Sequence, residues 1–190
     1  MSDRVYTVAL IVGSVSEPSL NRRLANALVG LAPDAGLKLV DVEIGGLPFF
    51  AAQFQSEADY PEAGRALKAE VDPAEGLLIV TPEYNRSIPG VLKNAIDWLS
   101  RPEGDSSFPG RPTAVTGMSE GAVSTAVAQN HLKAILTSQG VQLLGEPEAY
   151  IQYESGLIAD DGTVPDADTR RFLLEFLQAF HDLIDRGASS

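Results

Sequence analysis

The chain has 190 residues, 44% of them hydrophobic and 21% charged, which fits a single domain with a core that needs no metal or disulfide staple. It contains no cysteine, so disulfides, thiolate metal sites and cysteine nucleophiles are excluded, and any redox chemistry falls to a bound group. A net charge of −12 gives no basic face with which to displace phosphate counterions, so nucleic acid is not an expected partner.

No run of about 18 apolar residues is present. The opening MSDRVYTVALIVG enters an apolar strand without a basic n-region or cleavage site. A cytoplasmic protein with no membrane partner is expected.

In chain order, Val5–Val12 (VYTVALIV) is a continuous apolar run stopped by Gly13, the pattern of a strand buried on both faces. Ser19 then precedes Leu20, Leu24, Ala27, Leu28 and Leu31, which predicts a helix capped by that serine. Leu37–Val42 predicts a second strand. Tyr60, Ala63, Leu67 and Val71 share one face of a helix with Pro61 in its first turn. Gly76–Thr81 reads as the third strand. Ser87 is expected to cap the next helix, with Pro89 in its first turn and Ile88, Val91, Leu92, Ala95, Ile96 and Leu99 facing inward. A fourth strand over Arg111–Met118, a helix over Val123–Ser138 and a short fifth strand at Val141–Leu144 follow. The last helix, Asp166–Arg186, carries an apolar stripe from Phe172 to Ile184, and Gly187–Ser190 should fray.

Five strands alternating with five helices predict a parallel sheet covered on both faces, with no internal repeat. Residues 1–186 are expected to form one domain. Ligands of such folds lie beyond the carboxyl ends of the strands, which selects the loops after strands one, three and four.

The first of these, Gly13–Asn21 (GSVSEPSLN), opens directly into a helix. A helix N-terminus binds phosphate through its free N–H groups without needing lysine. The loop is neither G-x-G-x-x-G nor G-K-[ST], which weakens the dinucleotide-domain and P-loop readings. Hydroxyls that only cap and turn are an equal alternative. The second loop, Thr81–Ser87 (TPEYNRS), puts out a carboxylate, a phenol and an amide after a proline-set turn. These suit a planar heterocycle with polar edges, although for seven residues alone a capped turn with surface polar side chains is the ordinary reading.

The chain resembles the NADPH-dependent FMN reductases and their chromate-, quinone- and azo-reducing relatives. That family carries GS-x-R-x-x-S-x-N after strand one and PEYN-x-S-x-P-G-x-L-K-N-A-I-D-W after strand three. Here the sequence reads GSVSEPSLN at 13–21, PEYNRSIPGVLKNAIDW at 82–98 and G-x-S-x-G at Gly117–Gly121. The resemblance implies a flavodoxin-like doubly wound α/β fold with a five-stranded parallel sheet in the order 2-1-3-4-5. It also implies an FMN-dependent enzyme taking hydride from NADPH or NADH and passing electrons to a quinone-like small-molecule acceptor. An FMN-binding electron carrier or sensor without turnover is the alternative.

By position, Ser14, Ser16, Ser19, Leu20 and Asn21 would surround the FMN phosphate. Pro82, Glu83, Tyr84 and Asn85 would line the isoalloxazine and ribityl chain, and Ser119 would approach the ring. Hydride passes between cofactors, so no catalytic side chain and no metal ligand is named. Glu83 is placed in loop holding or capping ahead of acid catalysis.

Two positions depart from the pattern. Ser16 stands where arginine is usual and removes a charge-assisted phosphate contact, so weaker or more salt-sensitive FMN binding is expected. Arg22 or Arg23 would offset it, or both, lying inside the helix, are simply solvated. Arg86 stands where tyrosine is common and is expected either to reach a phosphate of the nicotinamide nucleotide or to be simply exposed.

His131 and His181 lack carboxylate partners at metal spacing and are expected to be structural or surface residues. Trp98 reads as core or interface. Gly45–Asp59 is a long connection whose Phe49, Phe50 and Phe54 either cover a neighbouring subunit's flavin or cover their own sheet. The resemblance implies a homodimer. A tetramer is doubtful, because Val127 and Asn130 stand where relatives carry an Arg and a Tyr that join subunits.

Overall fold

The computed structural model describes residues 4–188. Strand β1 (Tyr6–Val12) lies at the centre of a parallel sheet. It pairs with β2 (Leu37–Val42) on one side and β3 (Gly76–Val80) on the other, and β3 pairs with β4 (Pro112–Ser119). Beyond β4 the edge is shared by two short strands, β5 (Gln142–Leu143) and β6 (Ala149–Gln152). The order is β2-β1-β3-β4-β5, with β6 also on β4, so the expected order holds.

The fifth strand is the one difference. It is split: β5 pairs with Pro112–Thr113 and β6 with Thr116–Ser119, and the Gly145–Glu148 segment (GEPE) detours between them. Pro147 has no N–H to give a ladder, which suits a break at an edge.

Helices α1 (Leu20–Leu31) and α5 (Ala167–Ala188) cover one face. Leu24, Leu28, Phe176, Leu177 and Phe180 pack there on Val8, Leu10, Leu78 and Ala114. Helices α2 (Glu62–Val71), α3 (Gly90–Leu99) and α4 (Ala126–Ser138) cover the other, over Ala9, Ile11, Leu77, Ile79 and Val115. Each central strand is therefore apolar on both sides, as the uninterrupted runs require. Helix α5 runs on through Gly187 and Ala188, while Ser189 and Ser190 lie outside the described residues.

The long connection 45–59 is held by one tryptophan. Trp98 is fully buried, its Nε1 donates to Pro48 O at 2.8 Å, and Phe50, Phe54 and Tyr60 surround its ring at centroid distances of 5.2–5.5 Å. Asn94 adds two bonds, accepting from Phe50 N–H and donating to Pro48 O. Tyr60 donates to Trp98 O, and burial pushes its phenol up to about 12. Phe50 and Phe54 thus pack on Trp98 of α3 in their own chain, whereas Phe49 is 87% exposed.

Among the described residues no helix is long and apolar enough to cross a membrane, and no cluster of side chains is arranged to hold a metal ion.

Candidate functional site

The parallel strands β1, β3 and β4 end together, and the three loops selected from the sequence meet there. One cleft of 420 Å³ is lined by Ser14, Ser16, Ser19, Leu20, Asn21, Pro82, Glu83, Tyr84 and Ser119, with Pro18, Met118, Glu120 and Gly121. A second, of 620 Å³, adjoins it and shares Glu83, Ser119 and Gly121. Asn85, Arg86 and the segment Ala122–Ser124 complete its wall. Every residue expected to contact a cofactor therefore borders one of two connected clefts. Ala122, Val123 and Ser124 were not anticipated; the only hint was that they follow the G-x-S-x-G segment.

The start of α1 is built as expected. Ser19 has extended backbone and its side chain accepts from Arg22 N–H at 3.2 Å. The N–H groups of Leu20 and Asn21 open the helix without intrahelical acceptors. Asn21 does something the motif alone did not reveal. Its Nδ2 donates to Met118 O and its Oδ1 accepts from Met118 N–H, both at 2.9 Å, and the residue is buried. The amide is therefore a clamp between α1 and the end of β4, and only its backbone N–H is offered to the cleft.

Gly117 is required by a close approach of β4 to β3. A Cβ there would lie 2.0 Å from Thr81 O. Any side chain would push apart the strand ends that carry the second and third loops.

The Thr81–Ser87 loop ends in a two-residue turn. Tyr84 and Ser87 exchange both backbone hydrogen bonds, at 2.9 and 3.0 Å, around Asn85 and Arg86 with φ of 52° and 64°. Two positive φ values in a two-residue connection are those of a type I′ turn. Asparagine tolerates that region; arginine pays roughly 1–2 kcal/mol for it. Ser87 is consequently not a helix cap, since it closes the turn and α3 begins at Gly90 behind Pro89.

Glu83 is the anchor. Its carboxylate accepts from the N–H groups of Val127 and Ala128 at the start of α4, at 3.1 and 3.0 Å, and from Arg86 at 2.7 Å. Its side chain is only 6% exposed. Desolvation opposes its ionisation, but the bonds from Ala128, Arg86 and Val127 outweigh that and hold the carboxyl below the usual range. Glu83 thus caps α4 and stays ionised, with no proton to donate. Arg86, two-thirds exposed at the rim, is tethered to it and not free in solvent.

A side-chain hydrogen bond joins the two loops across the smaller cleft: the Ser16 hydroxyl lies 3.1 Å from the Tyr84 hydroxyl. Arg22 and Arg23, read as either offsetting Ser16 or being solvated, are engaged with side chains outside that loop. Arg22 grips both oxygens of Asp41, and Arg23 pairs with Asp160 and donates to Tyr153. Within α4, Asn130 donates to Ala126 O and Val127 is partly exposed. Chemically, helix-start N–H groups and hydroxyls suit an anion at the narrow end. The wider cleft, walled by an amide and loop backbone, suits a flat group with polar edges.

Comparison with known proteins agrees with this geometry. A family model described as NADPH-dependent FMN reductase matches residues 6–155. A 2-hydroxy-1,4-benzoquinone reductase of Burkholderia is 46% identical, over 91% of this chain and 93% of its own. A quinone reductase of Pseudomonas putida is 42% identical over 93% and 94%. Among solved structures, FerB of Paracoccus denitrificans, a flavoenzyme NAD(P)H:(acceptor) oxidoreductase, superposes with a TM-score of 0.89 at 43% identity, covering 96% of this chain and 98% of FerB. The family match spans most of the chain and includes all three loops, so the protein belongs to the NADPH-dependent FMN reductase family.

Proposed function

We propose that the protein is an FMN-dependent oxidoreductase that takes hydride from NADPH or NADH and delivers electrons to a quinone-like small acceptor. The observation that carries this reading is the junction of an anion-suited helix start with a wider, polar-walled cleft at the carboxyl edge of the sheet. The hydride chemistry would be supplied by bound FMN, which alternately accepts two electrons from nicotinamide and releases them to the acceptor.

The residues divide that work. Ser14, Ser16 and Ser19, with the N–H groups of Leu20 and Asn21, would hold the phosphate. Pro82, Glu83, Tyr84 and Asn85 would line the ring and ribityl chain, with Ser119 on the far wall. Glu83 acts by fixing the loop on α4, not by moving a proton. No side chain has to break a bond, so speed depends on positioning and on admitting two substrates in turn.

The test is an anaerobic titration of the FMN-loaded protein with NADPH and with NADH, followed by a panel of quinones. Bleaching by a nicotinamide and recovery with a quinone are expected. Protein that stays colourless with added FMN overturns the reading. Yellow protein that oxidises neither nucleotide favours the carrier alternative.

The protein is also proposed to work as a cytoplasmic homodimer, with tetramers left open, since exposed Phe49, Val123 and Val127 offer apolar surface and Val123 lies in the cleft wall. A monomeric sedimentation coefficient at micromolar concentration would dismiss the dimer.

A further inference from the structure

The turn at Tyr84–Ser87 is gripped by α4 at two places. Glu83, on the entering limb, binds the N–H groups of Val127 and Ala128. On the leaving limb, the Ser87 hydroxyl lies 2.8 Å from His131 Nδ1. His131 follows Val127 by four residues and Ala128 by three, so all three contacts fall on one helix face. Between the grips sit Asn85 and Arg86, both left-handed. Adjacent non-glycine residues persist in that conformation only where their surroundings over-determine it.

We propose that His131 is a positioning residue: through Ser87 it pins the second limb of the turn, so that Tyr84 and Asn85 keep their place in the cleft wall. This rests on the reading of the cleft as a flavin and nicotinamide site. His131 has no direct part in the chemistry and does not line either cleft. His131, on the exposed side of α4, is replaceable without opening the core.

The variants are His131→Ala, Ser87→Ala, the double variant and His131→Asn, whose amide restores a polar group near the position of Nδ1. The first readout needs no cofactor: trypsin cleavage of the native apo-protein at the Arg86–Ser87 bond. One lost hydrogen bond predicts a rise of roughly five- to tenfold in either single variant. The double variant should rise no further, and His131→Asn should return most of the way to wild type. The second readout is steady-state kinetics of the FMN-loaded protein, where the donor KM should rise by a similar factor with kcat within about twofold. Unchanged cleavage and unchanged donor KM in His131→Ala overturn the proposal, as do single effects that multiply in the double variant. If cleavage responds as expected but wild-type protein with FMN oxidises no nicotinamide, the pin stands and the functional reading falls.

Discussion

The loop after β1 and the loop after β3 line the same cleft but are held in place by different means. The first has few bonds of its own: Gly13 N–H to Val80 O at its base, Ser16 N–H to the Ser14 hydroxyl at 3.3 Å, and the Ser19 cap at its end. Val15 at its crest is 59% exposed. The second is bound by Glu83, Arg86, Ser87 and a closed backbone turn, all referred to α4. The difference suits what each would hold. A phosphate is nearly spherical and supplies the missing hydrogen-bond acceptors itself, so its loop can settle around it. A flat ring that must meet a second flat ring needs a wall fixed beforehand, because misplacement is paid for in rate.

The hardest blow to the contrast falls on Asn21, which ties the first loop's helix to β4. Asn21→Leu leaves the buried N–H and C=O of Met118 unpaired and should cost about 2–4 kcal/mol in urea unfolding, with FMN affinity falling alongside. A loss under about 0.5 kcal/mol would show that water or other contacts take over the clamp.

Glu83→Gln comes next and attacks the fixed loop. It removes the charge from the α4 cap and should cost about 1–2 kcal/mol at neutral pH. Because the folded Glu83 carboxyl is held below its ordinary value of 4.5, its contribution is present above that pH and disappears as pH falls through the lower folded value. The stability gap between wild type and variant should therefore be constant near neutrality and close only in acid. A gap that persists undiminished in strong acid would mean that charge is not what Glu83 supplies.

The smallest effect concerns the one bond joining the two loops. A double-mutant cycle of Ser16→Ala and Tyr84→Phe should give a coupling of about 0.5 kcal/mol, since both hydroxyls have water as an alternative partner. Coupling well above 1 kcal/mol would make the loops one unit and dissolve the distinction drawn between them.

Much of this was legible in the chain. Continuous apolar runs marked β1 and β3 because strands covered on both faces cannot alternate, and the loops at the strand ends followed from the fold rule. What escaped lies in contacts between distant segments. Nothing local distinguishes an Asn that binds phosphate from one whose amide is consumed by Met118, 97 positions later. Ser87 looked like a cap because Ser-x-Pro commonly precedes a helix, yet its backbone is taken by Tyr84 and its hydroxyl by His131. Strand β6 (AYIQ) was missed because it is only four residues long, and its pairing rests on Thr116–Ser119. The pairing of Arg86 with Glu83 and the use of that carboxylate to cap α4 depend on a turn whose φ values no residue there advertises.

Trp98 has a consequence for how the molecule can be watched. It is the chain's single tryptophan, seated where Phe50, Phe54 and Pro48 of the long connection press on α3. Its emission, excited at wavelengths the five tyrosines do not absorb, is therefore an unlabelled optical gauge of whether the 45–59 segment is docked. A yellow cofactor bound at the sheet's edge would add a nearby acceptor of its excited-state energy, so one wavelength could follow both docking of the connection and loading of the cleft.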